Sequence, residues 1–240
     1  MFYSEKREIL TLDWPKQWFC FWNMSPWDSY QDSSFASRRS SKIHSVKSVS
    51  VCRSQVSMCD GQRGGPPPVK ELEKILYGGK RTGNHVDEVW PNLYLGDMSI
   101  ANDRYGLWKL GITHVLNAAH GKMHCQGSHE FYGSSIEYHG VPADDSPSFN
   151  LSVYFQPCAD HIHQVLNSPG GKVLVHCIMG MSRSSTLVLA YLMLYHQMPL
   201  RSAVQRVVKK RAIYPNRNFL ALLLDLDLQM KRKRKTCVLL

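Results

Sequence analysis

The sequence predicts an α/β fold, a central and mostly parallel sheet flanked by helices. Three observations carry that prediction. Short runs at residues 112–117, 136–141 and 173–175 read as strands, and Val173, Leu174 and Val175 are apolar at consecutive positions, as strands buried on both faces are. Between them lie longer segments with helical periodicity, and strands alternating with helices build parallel sheets. The run ending at Val175 leads through a tight loop into an apolar helix pattern from about Ser184. Such folds bind ligands at the carboxyl ends of their central strands.

The elements follow in order. Residues 69–77, VKELEKILY, carry apolar side chains at 69, 72, 75 and 76, a short amphipathic helix closed by Gly78-Gly79. Residues 89–96 read as a strand interrupted by a turn at Pro91. Ser99 is the expected cap of a helix through Ala101, Tyr105, Leu107 and Leu110, stopped by Gly111. The strands at 112–117 and 136–141 follow, separated by a stretch with His120, His124, Cys125 and His129. No second cysteine lies there, and the spacing of these residues and Glu130 completes no zinc-type set, so metal is not expected. Asn150 or Ser152 starts a helix through Val153, Phe155, Ala159, Ile162 and Leu166, ending at Pro169-Gly170-Gly171. Helices at 200–208 and 216–228 complete the domain.

Around it lie two segments of different character. Residues 1–66 place Trp14, Trp18 and Trp22 at helical spacing and then ten serines within 31–60, a composition that predicts disorder. The triplet Pro66-Pro67-Pro68 marks the boundary. The expected organisation is therefore an N-terminal extension over 1–66, one folded domain over 67–230 and a tail over 231–240. The net charge of +10 is unevenly spread. Residues 1–66 hold nine basic against six acidic residues, and the run from Lys231 to Lys235 alone supplies +5, which leaves +2 for the domain. A nearly neutral domain argues against a nucleic-acid partner. Seven scattered cysteines without a Cys-x-x-Cys pair fit a reducing compartment. No continuous apolar leader is evident, so the expected location is cytoplasmic or nuclear.

The chemistry is concentrated in residues 172–185, KVLVHCIMGMSRSS. A strand, a tight loop and a helix N-terminus form an anion cradle from backbone N–H groups and the helix dipole. Cys177 at the floor should titrate low in that field. Arg183, separated from it by five residues, offers a planar, permanently charged fork for two phosphate oxygens. Basic residues normally avoid helix N-termini, and an anion bound there resolves the conflict. Ile178, Met179, Gly180, Met181 and Ser182 complete the loop, with Gly180 permitting a backbone angle forbidden to a side chain.

His176-Cys177-x5-Arg183-Ser184 resembles the signature of the cysteine-based protein tyrosine phosphatase superfamily. With VDEVWPNLYLGD, GITHVLNAAHG, YHGVPADDSP and YPNRNF in order, residues 67–230 resemble its atypical dual-specificity phosphatases. The resemblance implies the fold of that family and hydrolysis of phosphotyrosine and phosphoserine/phosphothreonine in proteins. It implies Cys177 as nucleophile through a phosphocysteine and Arg183 as oxyanion clamp. Ser184 is then the hydroxyl that helps the sulfur leave, and His176 the loop-supporting histidine that favours the thiolate. Ala143-Asp144-Asp145 matches the acid loop, which makes Asp145 the general acid and base and Asp144 a solvated carboxylate. Ser146 and Asn216 are supporting positions. Asn218 stands where the family usually has Gly, and Ser185 where it usually has Ala. No metal or other cofactor is implied.

The apolar Ile178, Met179 and Met181 favour phosphoproteins, protein kinases among them, over inositol lipids. Two other readings stand beside this one, a phosphatase-like scaffold and a phosphatase of a non-protein ester. At the C-terminus, Cys237-Val238-Leu239-Leu240 fits a prenylation box behind the polybasic run, an arrangement suited to an anionic membrane.

Overall fold

The computed structural model describes residues 69–78, 83–122 and 127–238, with side chains to 234. The expected tryptophan- and serine-rich extension, the proline boundary, His124, Cys125 and the side chains of Lys235 and Cys237 lie outside the described residues.

Strand β1 (Val86–Trp90) and strand β2 (Leu93–Gly96) form a hairpin, where a single interrupted strand was expected. Its turn places Asn92 at φ 61°, a left-handed angle that asparagine tolerates better than most side chains. Strands β3 (His114–Asn117), β4 (Glu137–Gly140) and β5 (Val173–His176) complete one sheet in the order β1-β2-β5-β3-β4. Only the β1–β2 pair is antiparallel; β2–β5, β5–β3 and β3–β4 are parallel. The strand carrying the signature is therefore the central one.

Two cores sandwich it, and the period of two along each strand divides the side chains between them. Val173, Val175 and Leu116 face the larger core, while Leu174 and Val115 face the smaller. All five are fully buried, which accounts for the uninterrupted apolar runs in the sequence. The larger core contains helices α1 (Val69–Tyr77), α5 (Phe155–Asn167), α6 (Arg183–His196), α7 (Leu200–Val208) and α8 (Arg217–Val238). The smaller lies under α2 (Met98–Ala101), α3 (Arg104–Leu110) and α4 (His129–Tyr132). Helix α6 is apolar around its whole circumference, and every residue from Arg183 to Met193 is buried, so it is the central helix.

Local departures from the sequence reading have local causes. The single helix expected after Ser99 is two short helices, because two aspartates each cap one. Asp97 accepts from the Ser99 and Ile100 amides and Asp103 from the Gly106 amide. Ser99 is thus not the cap. Gly111 does end α3, at φ 72°. A 3-10 turn over Leu151–Tyr154 precedes α5, and the Asn150 side chain caps it through the Ser152 amide. Helix α8 does not stop near Leu228 but runs to Val238, through the polybasic run. Lysine and arginine are good helix formers and are favoured at a helix C-terminus. Among the described residues, no helix is long and apolar enough to cross a membrane.

Candidate active site

The parallel ladder ends at His176, and the next six residues turn from β5 into α6. What shapes this turn is where its carbonyls go. The Ile178 carbonyl accepts from the Met98 amide at 3.1 Å, and the Met181 carbonyl from the Tyr214 amide at 2.8 Å. Ser182 O accepts from the Thr186 amide and from the hydroxyls of Ser185 and Thr186. The Gly180 and Met179 carbonyls accept from Arg211, through Nε at 3.2 Å and Nη2 at 3.5 Å. All five carbonyls of the x5 segment are thus satisfied by their surroundings. The main-chain N–H groups of residues 178–182 meet no acceptor among the described residues. A loop with this distribution presents donors to a bound anion.

Gly180 is required at its position. It adopts φ 66°, and a Cβ there would stand 2.3 Å from the Gly96 carbonyl oxygen. Only glycine allows this loop to lie so close to the end of β2.

Ser182 occupies the N-cap of α6 but makes no side-chain cap bond. Its hydroxyl instead donates to Asp145 Oδ1 at 2.8 Å and accepts from the Asn216 amide at 3.2 Å. The first turn of α6 therefore keeps its N–H groups and the positive end of its dipole for a ligand. Asn216 Nδ2 donates to the same Asp145 oxygen at 2.7 Å. Asp145 is thereby held against the loop, with Oδ2 3.8 Å from Arg183 Nε. Arg183, at the first position of α6, is 6% exposed, and its Nη1 donates to the Ala143 carbonyl at 3.3 Å. Its Nε is a buried donor without a hydrogen-bond acceptor among the described residues.

Cys177 is 2% exposed, at the floor, and its Sγ accepts from the Ser184 hydroxyl at 3.2 Å. His176 is likewise 2% exposed, and neither ring nitrogen makes a hydrogen bond of ordinary geometry among the described residues. Loss of hydration pushes its pKa down to about 4, against weaker upward pulls from the Cys177 backbone and Asp97. It is therefore a neutral ring at physiological pH. Any support it gives the sulfur comes from packing and dipoles rather than from a positive charge.

The structure thus brings together Cys177, Ile178, Met179, Gly180, Met181, Ser182, Arg183, Ser184 and His176 with Asp145, which lies 31 or more positions upstream of them in sequence. Asp144 faces away and pairs with Lys122 at 3.1 Å, a surface ion pair. Ser146 makes no hydrogen bond to Asp145 among the described residues. Asn218 uses its amide on the Phe149 carbonyl at 2.8 Å, which pins the segment following Asp145. Ser185 bonds the Met181 and Ser182 carbonyls, so the hydroxyl that replaces the usual alanine belongs to the loop's support. Sequence reasoning missed Arg211 and Asp87. A lone arginine after a lysine pair gives no signal of burial, although the neighbouring Tyr-Pro-Asn element does mark the segment as part of the site. No group of three or more His, Cys, Asp and Glu side chains suited to a metal occurs among the described residues.

This geometry is that of a cysteine-based phosphatase loop, and residues 93–229 match the family described as "Dual specificity phosphatase, catalytic domain". The chain belongs to the dual specificity phosphatase family. Among its relatives, it is 56% identical over 165 residues to dual specificity protein phosphatase 26 of Homo sapiens, a match covering 68% of this chain and 77% of that protein. The protein of the same name from Mus musculus gives the same figures. Of solved structures, human DUSP28 superposes with a TM-score of 0.56 at 25% identity, over 63% of this chain and 99% of that one. Human tyrosine phosphatase-like serine/threonine/tyrosine-interacting protein does so with 0.53 at 30% identity, over 60% and 95%.

Proposed function

We propose that this chain is a protein phosphatase that hydrolyses phosphotyrosine and phosphoserine/phosphothreonine in proteins. The observation that carries the reading is the convergence of Cys177, Arg183 and Asp145 on one loop whose carbonyls are turned away and whose amides are available. The Cys177 sulfur attacks phosphorus, and the bond to the leaving oxygen breaks as the phosphocysteine forms. Loop amides and the Arg183 fork hold the three equatorial oxygens, whose charge they stabilise without reorganising. Asp145 gives its proton to the leaving oxygen. In the second step it takes a proton from water, which attacks phosphorus and releases inorganic phosphate, while Ser184 donates to the departing sulfur.

The test uses the full chain with phosphotyrosine, phosphothreonine and phosphoinositide substrates, and Cys177→Ser as control. Hydrolysis of both phosphopeptides, lost in Cys177→Ser, is the expected result. Binding without turnover would favour the scaffold reading, and hydrolysis of the phosphoinositide alone would replace the protein substrate.

For location, the reading is cytoplasmic or nuclear, with attachment to an anionic membrane through prenylated Cys237 and the basic residues preceding it. The four C-terminal residues and the exposed Arg232, Lys233 and Arg234 support it. Lys231 contributes less to such a surface, since its ammonium pairs with Asp227 at 2.7 Å. A cellular C-terminal peptide whose mass shows Cys237 unmodified contradicts it. Phosphoproteins, protein kinases among them, are the proposed partners.

A further inference from the structure

We propose that Arg211 is a positioning residue for the phosphate loop, acting from behind it to hold the Met179 and Gly180 carbonyls out of the anion site. The inference rests on reading this loop as a phosphate site.

The five carbonyls of the segment do not have equivalent partners. Those of Ile178, Met181 and Ser182 are each tied by a main-chain amide, from Met98, Tyr214 and Thr186. The two middle ones, of Met179 and Gly180, meet no main-chain donor among the described residues and accept only from Arg211. They also lie at the bend, where Gly180 takes its positive φ. Without a donor behind them, a peptide flip at Gly180 would turn a carbonyl dipole toward the phosphoryl oxygens and remove an amide from them.

Arg211 is itself fixed. Its side chain is 7% exposed, and Nη1 donates to the Asn84 carbonyl and to Asp87 Oδ2, each at 2.9 Å. The Asp87 carboxylate, 11% exposed, neutralises the guanidinium, so the pair adds little net charge to the pocket. The planar fork is what matters, because it serves two successive carbonyls with Nε and Nη2 while Nη1 anchors it to the start of β1. A lysine ammonium is a point donor and cannot span both carbonyls and Asp87. The fit is also close: a Cβ on residue 180 would stand 2.8 Å from Arg211 Nη2.

The test compares the wild-type full chain with Arg211→Ala, Arg211→Lys and Asp87→Asn. The readouts are orthovanadate affinity, kcat and KM on a phosphotyrosine peptide, and the thermal midpoint. Arg211→Ala is expected to weaken vanadate binding and lower kcat by about tenfold or more each. Arg211→Lys, which keeps the charge, is expected to recover the thermal midpoint but only part of kcat. Asp87→Asn is expected to fall between Arg211→Lys and wild type. The proposal is overturned if folded Arg211→Lys binds vanadate and turns over within twofold of wild type, or if the variants lower only the thermal midpoint. Should Arg211→Ala not fold, Arg211→Lys and Asp87→Asn still decide it. Failure of the wild type to bind vanadate or turn over is a different result, since it removes the phosphatase reading itself.

Discussion

At the residue scale, the site separates into atoms that react and atoms that aim them. Asp145 is the clearest case, because its position is set by Ser182 and Asn216 rather than by its own loop. Asp145→Asn is expected to lower kcat on a phosphotyrosine peptide by about 10² to 10⁴-fold. The loss should be much smaller on an aryl phosphate whose leaving group needs no proton. Asn216→Ala should show the same leaving-group dependence at lower amplitude, because it loosens the acid without removing it. An equal loss on both substrates would place Asn216 in binding instead. The reacting residues were legible in the sequence because the cysteine-to-arginine spacing and the Ala-x-Asp loop are local patterns. The supports were not. Arg211 lies 31 residues from Gly180 and 124 from Asp87, and no periodicity links a side chain to a carbonyl that far away.

At the element scale, the positions of helix ends decide the chemistry. Helix α6 gives up a side-chain cap at Ser182, and the N–H groups so spared are those a phosphate needs. Helix α7 begins at Leu200 without a capping side chain of its own, and Asp227 of α8 supplies the acceptor from 27 residues away. That carboxylate is fully buried and paired with Lys231. Asp227→Ala is expected to destabilise the fold by about 2 kcal/mol, since a buried amide and an ammonium both lose their charged acceptor. Denaturant unfolding of the two proteins checks it, and an unchanged midpoint contradicts it. Most elements were legible from apolar periodicity. The two short helices after Gly96 were not, because their caps, Asp97 and Asp103, break a pattern that otherwise reads as one helix. The end of α8 was missed for a related reason, since periodicity fades in a charged run although its residues favour helix.

At the scale of the whole molecule, the central strand joins catalysis to stability. Leu174 is fully buried in the smaller core, while its neighbours Val173 and Val175 fill the larger. Leu174→Ala is expected to cost about 2–5 kcal/mol. The same strand ends in His176, whose pKa is held near 4 in the fold. Between its unfolded value of about 6.5 and its folded value, the unfolded chain binds the extra proton. Stability from this group is therefore complete above about pH 6.5 and falls as the pH drops toward 4, by about 3 kcal/mol in all. Desolvation lowers His161 and His196 as well, which adds in the same direction. Denaturant midpoints between pH 7.5 and 4.5 should fall, and in His176→Phe the fall should be shallower. An equal slope would show that His176 is not the group responsible. The central place of β5 matched the sequence expectation because the least polar run is one buried on both faces; the order of the other strands was not predicted.

The two-step route is tested most directly by rapid quenching of a reaction with a radiolabelled phosphotyrosine peptide, followed by peptide mapping of the phosphatase. Label is expected on the peptide containing Cys177, rising within a turnover and decaying with release of phosphate. It should be absent from Cys177→Ser. Label on any other residue, or hydrolysis by Cys177→Ser at the wild-type rate, would contradict nucleophilic catalysis by this cysteine.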